Sequence, residues 1–256
     1  MLTSISVLTC LLFSVLYPLC FWSVRGHPID DGFRKFNLFL VNLAGAVVLF
    51  SILKPEFSLI FKIAVLVWAG SFFLVSALAW QRKNISNVFL SLPSVAGLPL
   101  AYLTQGIFVP GGTPFAPVVL GGIILCLSIF SLTLGHWYLN VSGLPISYLA
   151  RVNNIFWIFL GVRVLVDVFL LITQKILHSG DVISLYQFLF RTDGILLFVP
   201  LFFGTLLPAF LLYFVSETLK VKSTQSATGI LYVVAISVLM GDLAYKYFLI
   251  KFGIAL

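Results

Sequence analysis

The chain has 256 residues, of which 61% are hydrophobic, 16% aromatic and only 9% charged, and its mean hydropathy is +1.15. Soluble domains carry roughly 25% charged residues, so this composition excludes an ordinary soluble fold and leaves no length for an appended soluble domain. Each membrane-spanning helix needs about 20 apolar residues. The composition therefore predicts an all-α, polytopic integral membrane protein.

Basic residues outnumber acidic ones by 15 to 8, which gives a formal net charge of +7. The lysines and arginines are spread among hydrophobic segments and form no basic stripe, so we expect contacts with membrane lipids and no binding of nucleic acid. The cysteines Cys10, Cys20 and Cys126 form no Cys-x-x-Cys pair. This spacing disfavours covalently attached haem, iron–sulfur clusters and structural zinc, and we predict no metal site.

Apolar runs bounded by charged or turn residues predict about eight transmembrane helices, all within a single domain of residues 1–256. The predicted ranges are 2–22, 36–53, 57–80, 88–104, 118–139, 148–173, 194–216 and 226–250. The fourth range is short and contains Pro93, Gly97 and Pro99. Because proline removes helical hydrogen bonds, we expect this span to be short, broken or kinked.

The distribution of lysine and arginine predicts the orientation of the helices. The odd-numbered connections between eight spans hold Arg25, Arg34, Lys35, Arg82, Lys83, Arg151, Lys220 and Lys222, and the other side holds Lys54, Lys175 and Lys251. Connections rich in basic residues stay on the cytoplasmic side. We therefore expect a multi-pass protein of the cell membrane, specifically a bacterial inner membrane, with both termini on the non-cytoplasmic side.

Ionisable residues within apolar segments are the most informative feature of the sequence, because each costs about 2.5–3.5 kcal/mol on insertion scales. Arg163 and Asp167 lie four residues apart in the sixth predicted span. Asp242 and Lys246 repeat this spacing in the eighth span. Side chains four residues apart share one face of a helix. We expect both pairs at a similar depth in the leaflet opposite the basic connections.

Two interpretations of these charges are open. Arg191 and Asp193 lie where the seventh predicted span begins, and Tyr245 has a compatible depth in the eighth. If the last three helices pack together, the charges form a polar pocket that binds a redox headgroup, with a carboxylate passing protons. Alternatively, the intrahelical pairs only neutralise each other and fix helix packing.

His136 belongs to a second polar group near the opposite, cytoplasmic face. It is the only histidine well inside a predicted span, since His27 and His178 lie in connections. A buried haem with two histidine ligands needs both at a similar depth, so we expect no haem in this chain. An imidazole at this position suits a proton or substrate role, or a purely structural one.

These observations favour an integral subunit of a respiratory or electron-transfer complex that binds a quinone or quinol between helices. Its partners would be other membrane and redox subunits, and its quinone would be coupled to proton transfer. The candidate catalytic residues are Asp167, Arg163 and His136, and the candidate quinone-binding residues are Trp157, Asp193, Asp242 and Tyr245. Such sites combine an aromatic slot with titratable groups near the carbonyl oxygens.

The general layout resembles the cofactor-free quinone-binding membrane subunits of molybdopterin and iron–sulfur reductase complexes, by architecture and without a shared diagnostic motif. A small transporter or channel is an alternative, because the fourth span suits a discontinuous substrate-binding helix. A structural membrane anchor without a site of its own is another. Hydrolase, zinc-protease, phosphate-loop and dinucleotide motifs are absent from the sequence.

Overall fold

The computed structural model describes residues 1–24, 31–52, 57–82, 85–109, 112–141, 143–178 and 180–255. Within these ranges, eight helices are long and apolar enough to cross a membrane. The spans, first to eighth, are Leu2–Val24, Asp31–Ile52, Leu59–Gln81, Asn87–Phe108, Ala116–Asn140, Ser147–Thr173, Ile195–Lys220 and Thr224–Phe252. The structure thereby confirms the prediction of an all-α, multi-pass membrane protein with eight spans.

Each predicted range overlaps one observed span, and the differences lie at the ends. The second span begins at Asp31 rather than at 36, and the eighth extends to Phe252. The first span ends as a 3₁₀ helix, Tyr17–Val24. Residues used in the sequence argument that lie outside the described ranges are Arg25, His27, Lys54 and Lys83.

The fourth span is longer than the sequence predicts. It is helical from Asn87 to Phe108, with Pro93 and Pro99 both inside it. A membrane helix tolerates prolines where neighbouring groups satisfy the affected backbone. The carbonyls that lose a helical donor here are those of Phe89 and Val95. The indole Nε1 of Trp68, on the third span, donates a hydrogen bond of 3.1 Å to the Pro93 carbonyl and so joins the third and fourth spans.

The first four spans form one compact unit, Met1–Phe108. The first span packs against the second and the fourth, and the third also contacts both of these. Polar contacts join the helices as well: the hydroxyl of Tyr17 donates to the amide oxygen of Asn37. The indole of Trp22 donates to the hydroxyl of Ser91 over 2.9 Å.

The last four spans form a second compact unit, Val109–Leu256. The eighth span is its central helix and packs along the fifth and the seventh. The sixth span packs against the same two neighbours. The fifth and seventh spans therefore contact both the sixth and the eighth.

A β-hairpin, which the sequence argument does not predict, connects the sixth and seventh spans. Strand β1, Lys175–His178, pairs antiparallel with β2, Asp181–Ser184, and a short helix, Leu185–Leu189, follows. The short helix begins with a capping box between Ser184 and Gln187. Its apolar residues pack with the end of the eighth span, in a cluster that includes Phe188 and Phe248.

Candidate charged site within the membrane

The sixth span carries a buried ion pair. Arg163 and Asp167 are 1% and 3% exposed, and Nε of Arg163 lies 3.0 Å from Oδ1 of Asp167. These two atoms are close but poorly aligned, so the contact is an ion pair without the geometry of a hydrogen bond. The spacing of four residues places both groups on one face, as the sequence predicts.

The second oxygen of Asp167 joins the sixth span to the seventh and the eighth. Oδ2 accepts hydrogen bonds from the hydroxyl of Thr205, over 2.8 Å, and from the hydroxyl of Tyr245, over 2.9 Å. The two hydroxyl oxygens are themselves 3.0 Å apart. Hydrogen bonds to an ionised group are stronger than neutral ones, so this contact holds three helices at one point.

The eighth span contributes a second buried pair one turn apart. Asp242 and Lys246 are 4% and 3% exposed, and Nζ of Lys246 donates to Oδ2 of Asp242. This pair faces Gly121 on the fifth span. A Cβ built on Gly121 would lie 3.3 Å from Oδ1 of Asp242 and 3.4 Å from Nη1 of Arg163. The two ion pairs therefore approach each other across this glycine.

The guanidinium group of Arg163 contacts two further groups besides Asp167. Its Nη1 donates a hydrogen bond of 3.0 Å to the carbonyl of Pro117 on the fifth span. Its carbon lies 3.9 Å from the centroid of the Tyr245 ring, within cation–π distance. Its Nη2 has no hydrogen-bond partner among the residues that the structure describes. Hydrogen-bond donors of a buried cation are therefore left for a ligand.

A small cavity lies beside these charges. It is lined by Pro117, Val118, Gly121, Arg163, Asp242, Tyr245, Lys246 and Leu249. It leaves about 10 Å³ for the centre of a water molecule, which is room for roughly one water. Binding pockets for small organic ligands measure about 300–1,000 Å³, so a quinone ring does not fit in this cavity.

Together the two basic and two acidic side chains give the cluster a formal charge of zero. An uncompensated charge at this depth would be costly, whereas paired charges with hydrogen bonds lower that cost. We call the four charged side chains with Thr205 and Tyr245 the charged cluster; its members are Arg163, Asp167, Thr205, Asp242, Tyr245 and Lys246.

Glycine residues allow the helices to approach closely beside the cluster. A Cβ on Gly241, in the eighth span, would overlap the backbone of Gly204 in the seventh. The seventh span forms a π-helical turn at this level, Phe202–Leu206. Single π turns are often found at functional sites, and this one includes Thr205. Close backbone contact and the π turn together bring Thr205 next to Asp167.

The structure brings some of the predicted site residues together and separates others. Arg163, Asp167, Asp242 and Tyr245 belong to the charged cluster, as does Lys246. Trp157 is half-buried, and its indole donates a hydrogen bond of 3.3 Å to the hydroxyl of Ser216 on the seventh span. It lies six residues before Arg163, about 9 Å along the sixth span. Trp157 does not line the cavity.

Two further predicted residues lie outside the cluster. Asp193 is exposed at the start of the seventh span and is not among the residues that line the cavity. His136 is exposed, and its Nδ1 lies 3.3 Å from the hydroxyl of Tyr232. Fifteen residues of the fifth span separate His136 from Gly121, about 22 Å along the helix. The charged pairs of the sixth and eighth spans therefore lie close together, whereas Asp193 does not line the cavity beside them.

Sequence reasoning missed Thr205 and the carbonyl of Pro117. A threonine in an apolar helix commonly bonds to its own backbone, so its type alone does not indicate a site. The signal available in the sequence was the adjacent pair Gly204 and Thr205, matched by Gly241 and Asp242 in the next span. Among the described residues, no group of three or more histidine, cysteine or acidic side chains suits a metal ion.

Comparisons with protein-family models, with curated proteins and with solved structures give no match to this chain.

Proposed function

We propose that this chain is an integral membrane subunit of a respiratory or electron-transfer complex, in which the charged cluster moves protons for the reaction of a quinone or quinol. The observation that supports this most is the environment of the Asp167 carboxylate, which one cation and two hydroxyl groups contact at membrane depth. A positioned carboxylate with hydroxyl partners suits proton acceptance and release. Asp167 is the proton-transfer residue, and Tyr245 and Thr205 position it.

The zero formal charge of the cluster supports a coupling between protons and electrons. Protonation of one carboxylate leaves the cluster with a net positive charge, which is unfavourable in a low-dielectric environment. A negative charge that develops nearby removes this penalty. A quinol that has lost one proton carries such a charge on its oxygen, and its oxidation passes two electrons to the redox partners while its protons leave by way of Asp167.

The quinone ring is assigned to the lipid-facing side of the seventh span, because the cavity holds only one water. Phe198 and Phe202 are 46% and 47% exposed there, and Phe202 begins the π turn that contains Thr205. An aromatic surface of this kind suits a flat apolar ring. Protons pass between the ring and Asp167 by way of the Thr205 hydroxyl.

The partners in this proposal are redox subunits that hold the electron-carrying cofactors. The chain lies in a bacterial inner membrane with both termini on the non-cytoplasmic side, as the lysine and arginine distribution favours. Asp167 then lies toward the non-cytoplasmic leaflet, where protons from a quinol would be released.

The size of the cavity favours a second candidate, a small transporter for protons or ions. A cluster with both signs of charge and room for one water suits passage of a proton better than passage of an organic substrate. A transporter of this kind would work without redox partners, and the two candidates therefore differ in a measurable way.

The test is purification of the tagged chain from its native membrane in a mild detergent. We expect redox partners to co-purify, seen as haem absorbance or iron–sulfur electron paramagnetic resonance signals, together with extractable quinone and quinol oxidation activity. Proteoliposomes that contain the chain alone should show no proton or ion flux. Isolation without redox partners, combined with a flux by the chain alone, would overturn the proposal in favour of the transporter.

A further inference from the structure

The cavity beside the charged cluster combines an unused hydrogen-bond donor with unusually small dimensions. We propose that it is a binding site for one ordered water molecule, which joins the two buried ion pairs. The donor is Nη2 of Arg163, a side chain that is 1% exposed and lines the cavity. A buried donor without a partner is costly, so a ligand that accepts a hydrogen bond here is strongly favoured.

The dimensions of the cavity select water over larger ligands. About 10 Å³ is open to the centre of a water molecule, which matches one molecule of that size. A carboxylate, a phosphate or a ring has several heavy atoms and does not fit without movement of a helix.

The charge of the site selects a neutral ligand. Arg163 and Lys246 carry two positive charges, and Asp167 and Asp242 carry two negative ones, so the pairs already compensate each other. A bound anion or cation would leave one uncompensated charge in a low-dielectric environment. Water adds hydrogen bonds without adding charge.

The polar groups around the cavity give water the two to four partners that a buried water requires. The Arg163 guanidinium lines the cavity, and we assign its Nη2, which lacks a hydrogen-bond partner among the described residues, as the donor to the water. Oδ2 of Asp242 is engaged by Lys246, which leaves Oδ1 as the acceptor. Gly121 is what permits this arrangement, since any side chain there would contact both Asp242 and Arg163.

The water would also connect the cluster to its surroundings as a proton carrier next to Asp242. That role rests on the proposed function, whereas the existence of the site does not. Two kinds of measurement therefore test them separately.

The first measurement is a structure of the full chain at a resolution that shows buried waters. We expect a water peak within hydrogen-bond distance of Nη2 of Arg163 and Oδ1 of Asp242. The peak should persist in Gly161→Ala, because a Cβ at Gly161 meets open space. It should be lost in Gly121→Ala. An unfilled cavity in the wild type, at a resolution that shows other buried waters, would overturn the proposal.

The second measurement compares the unfolding midpoints of Gly121→Ala and Gly121→Ser in detergent micelles. We expect the midpoint to fall in the alanine variant, since its methyl group displaces the water and leaves Nη2 without an acceptor. The serine hydroxyl replaces the water, so this variant should recover most of the lost midpoint although it is larger. Gly161→Ala controls for the gain in helix propensity.

A serine variant no more stable than the alanine variant would contradict the water site and indicate a purely steric effect. If the water is observed but neutralisation of the Arg163 and Asp167 pair leaves quinol turnover unchanged, the water site stands and the proposed function fails. If turnover is lost but no water is found, the water site fails and the proposed function stands.

Discussion

The hydroxyl group of Tyr245, on the eighth span, lies 2.9 Å from Oδ2 of Asp167 on the sixth. The ring of the same tyrosine lies under the guanidinium group of Arg163 at 3.9 Å. Tyr245 therefore contacts both partners of one ion pair, through its polar atom on one side and its aromatic face on the other. This dual contact fixes the eighth span against the sixth at the level where the charges meet.

Tyr245→Phe separates these two contacts, because it removes the hydroxyl and keeps the ring. We expect the free energy of unfolding in mixed micelles to fall by about 1–2 kcal/mol, the range for a hydrogen bond to a charged group in a membrane interior. Tyr213→Phe removes an exposed hydroxyl from the seventh span and is the control. Equal stability of the two variants would show that the Asp167 contact contributes nothing.

The same carboxylate oxygen also binds Thr205, so the two hydroxyl groups should be coupled. We expect the combined Tyr245→Phe and Thr205→Val variant to lose an amount of unfolding free energy that differs from the sum of the single losses by about 0.5 kcal/mol or more. A double-mutant cycle of unfolding measurements gives this value. Strict additivity would mean that the two residues act on Asp167 independently.

Asp167→Asn leaves Arg163 without its counter-charge, whereas Asp167→Asn combined with Arg163→Gln restores a neutral cluster. We expect the single variant to lose about 3–5 kcal/mol of unfolding free energy. The double variant should be closer to the wild type, because no buried charge is left uncompensated. A double variant less stable than the single one would contradict the assignment of these residues as a compensating pair.

Gly241→Ala tests the close approach of the seventh and eighth spans. The added Cβ would overlap the backbone of Gly204, which cannot move aside as a flexible side chain does. We expect a loss of about 3 kcal/mol or more in unfolding free energy. Gly229→Ala, where a Cβ meets open space on the same span, should instead be neutral or stabilising by up to about 1 kcal/mol. Similar stabilities of the two variants would refute the close contact.

The hydrophobic pattern of the sequence predicted most of the fold, because a membrane-spanning segment is defined by its length and apolarity alone. The fourth span shows where the pattern misleads: Pro93 and Pro99 suggest a short or broken helix, yet the helix continues to Phe108. The fourth span also has a contact with another helix, because Trp68 on the third span donates to the Pro93 carbonyl. No local rule applied to residues 88–104 could have supplied it.

The charged cluster was predictable only in part. The four-residue spacing predicts that Arg163 contacts Asp167 and that Asp242 contacts Lys246, since each pair lies within a single helix. Which helix faces meet depends on packing, and this is why the sequence alone could not place Asp193 relative to the cavity. The contributions of Thr205 and Gly121 depend on the same packing. The pair Gly204 and Thr205 is visible in the sequence, but it does not say which helix it faces.

The orientation in the membrane is tested by cysteine labelling in a variant without native cysteines. Asp181→Cys places a thiol on the exposed β-hairpin, and Gln225→Cys places one at the exposed start of the eighth span. We expect a membrane-impermeant maleimide to label the hairpin position in spheroplasts and the other only after lysis. The reverse pattern would contradict the proposed topology.

The most direct test of proton transfer by the charged cluster is quinol turnover per assembled complex in the Arg163→Gln, Asp167→Asn double variant. This variant keeps the cluster neutral and removes the proton-accepting carboxylate, so loss of turnover would not reflect an unpaired charge. We expect assembly to be retained and turnover to fall by about a hundredfold or more, the scale of a lost general base. Turnover equal to that of the wild type per assembled complex would contradict the proton-transfer role and leave the cluster a structural one.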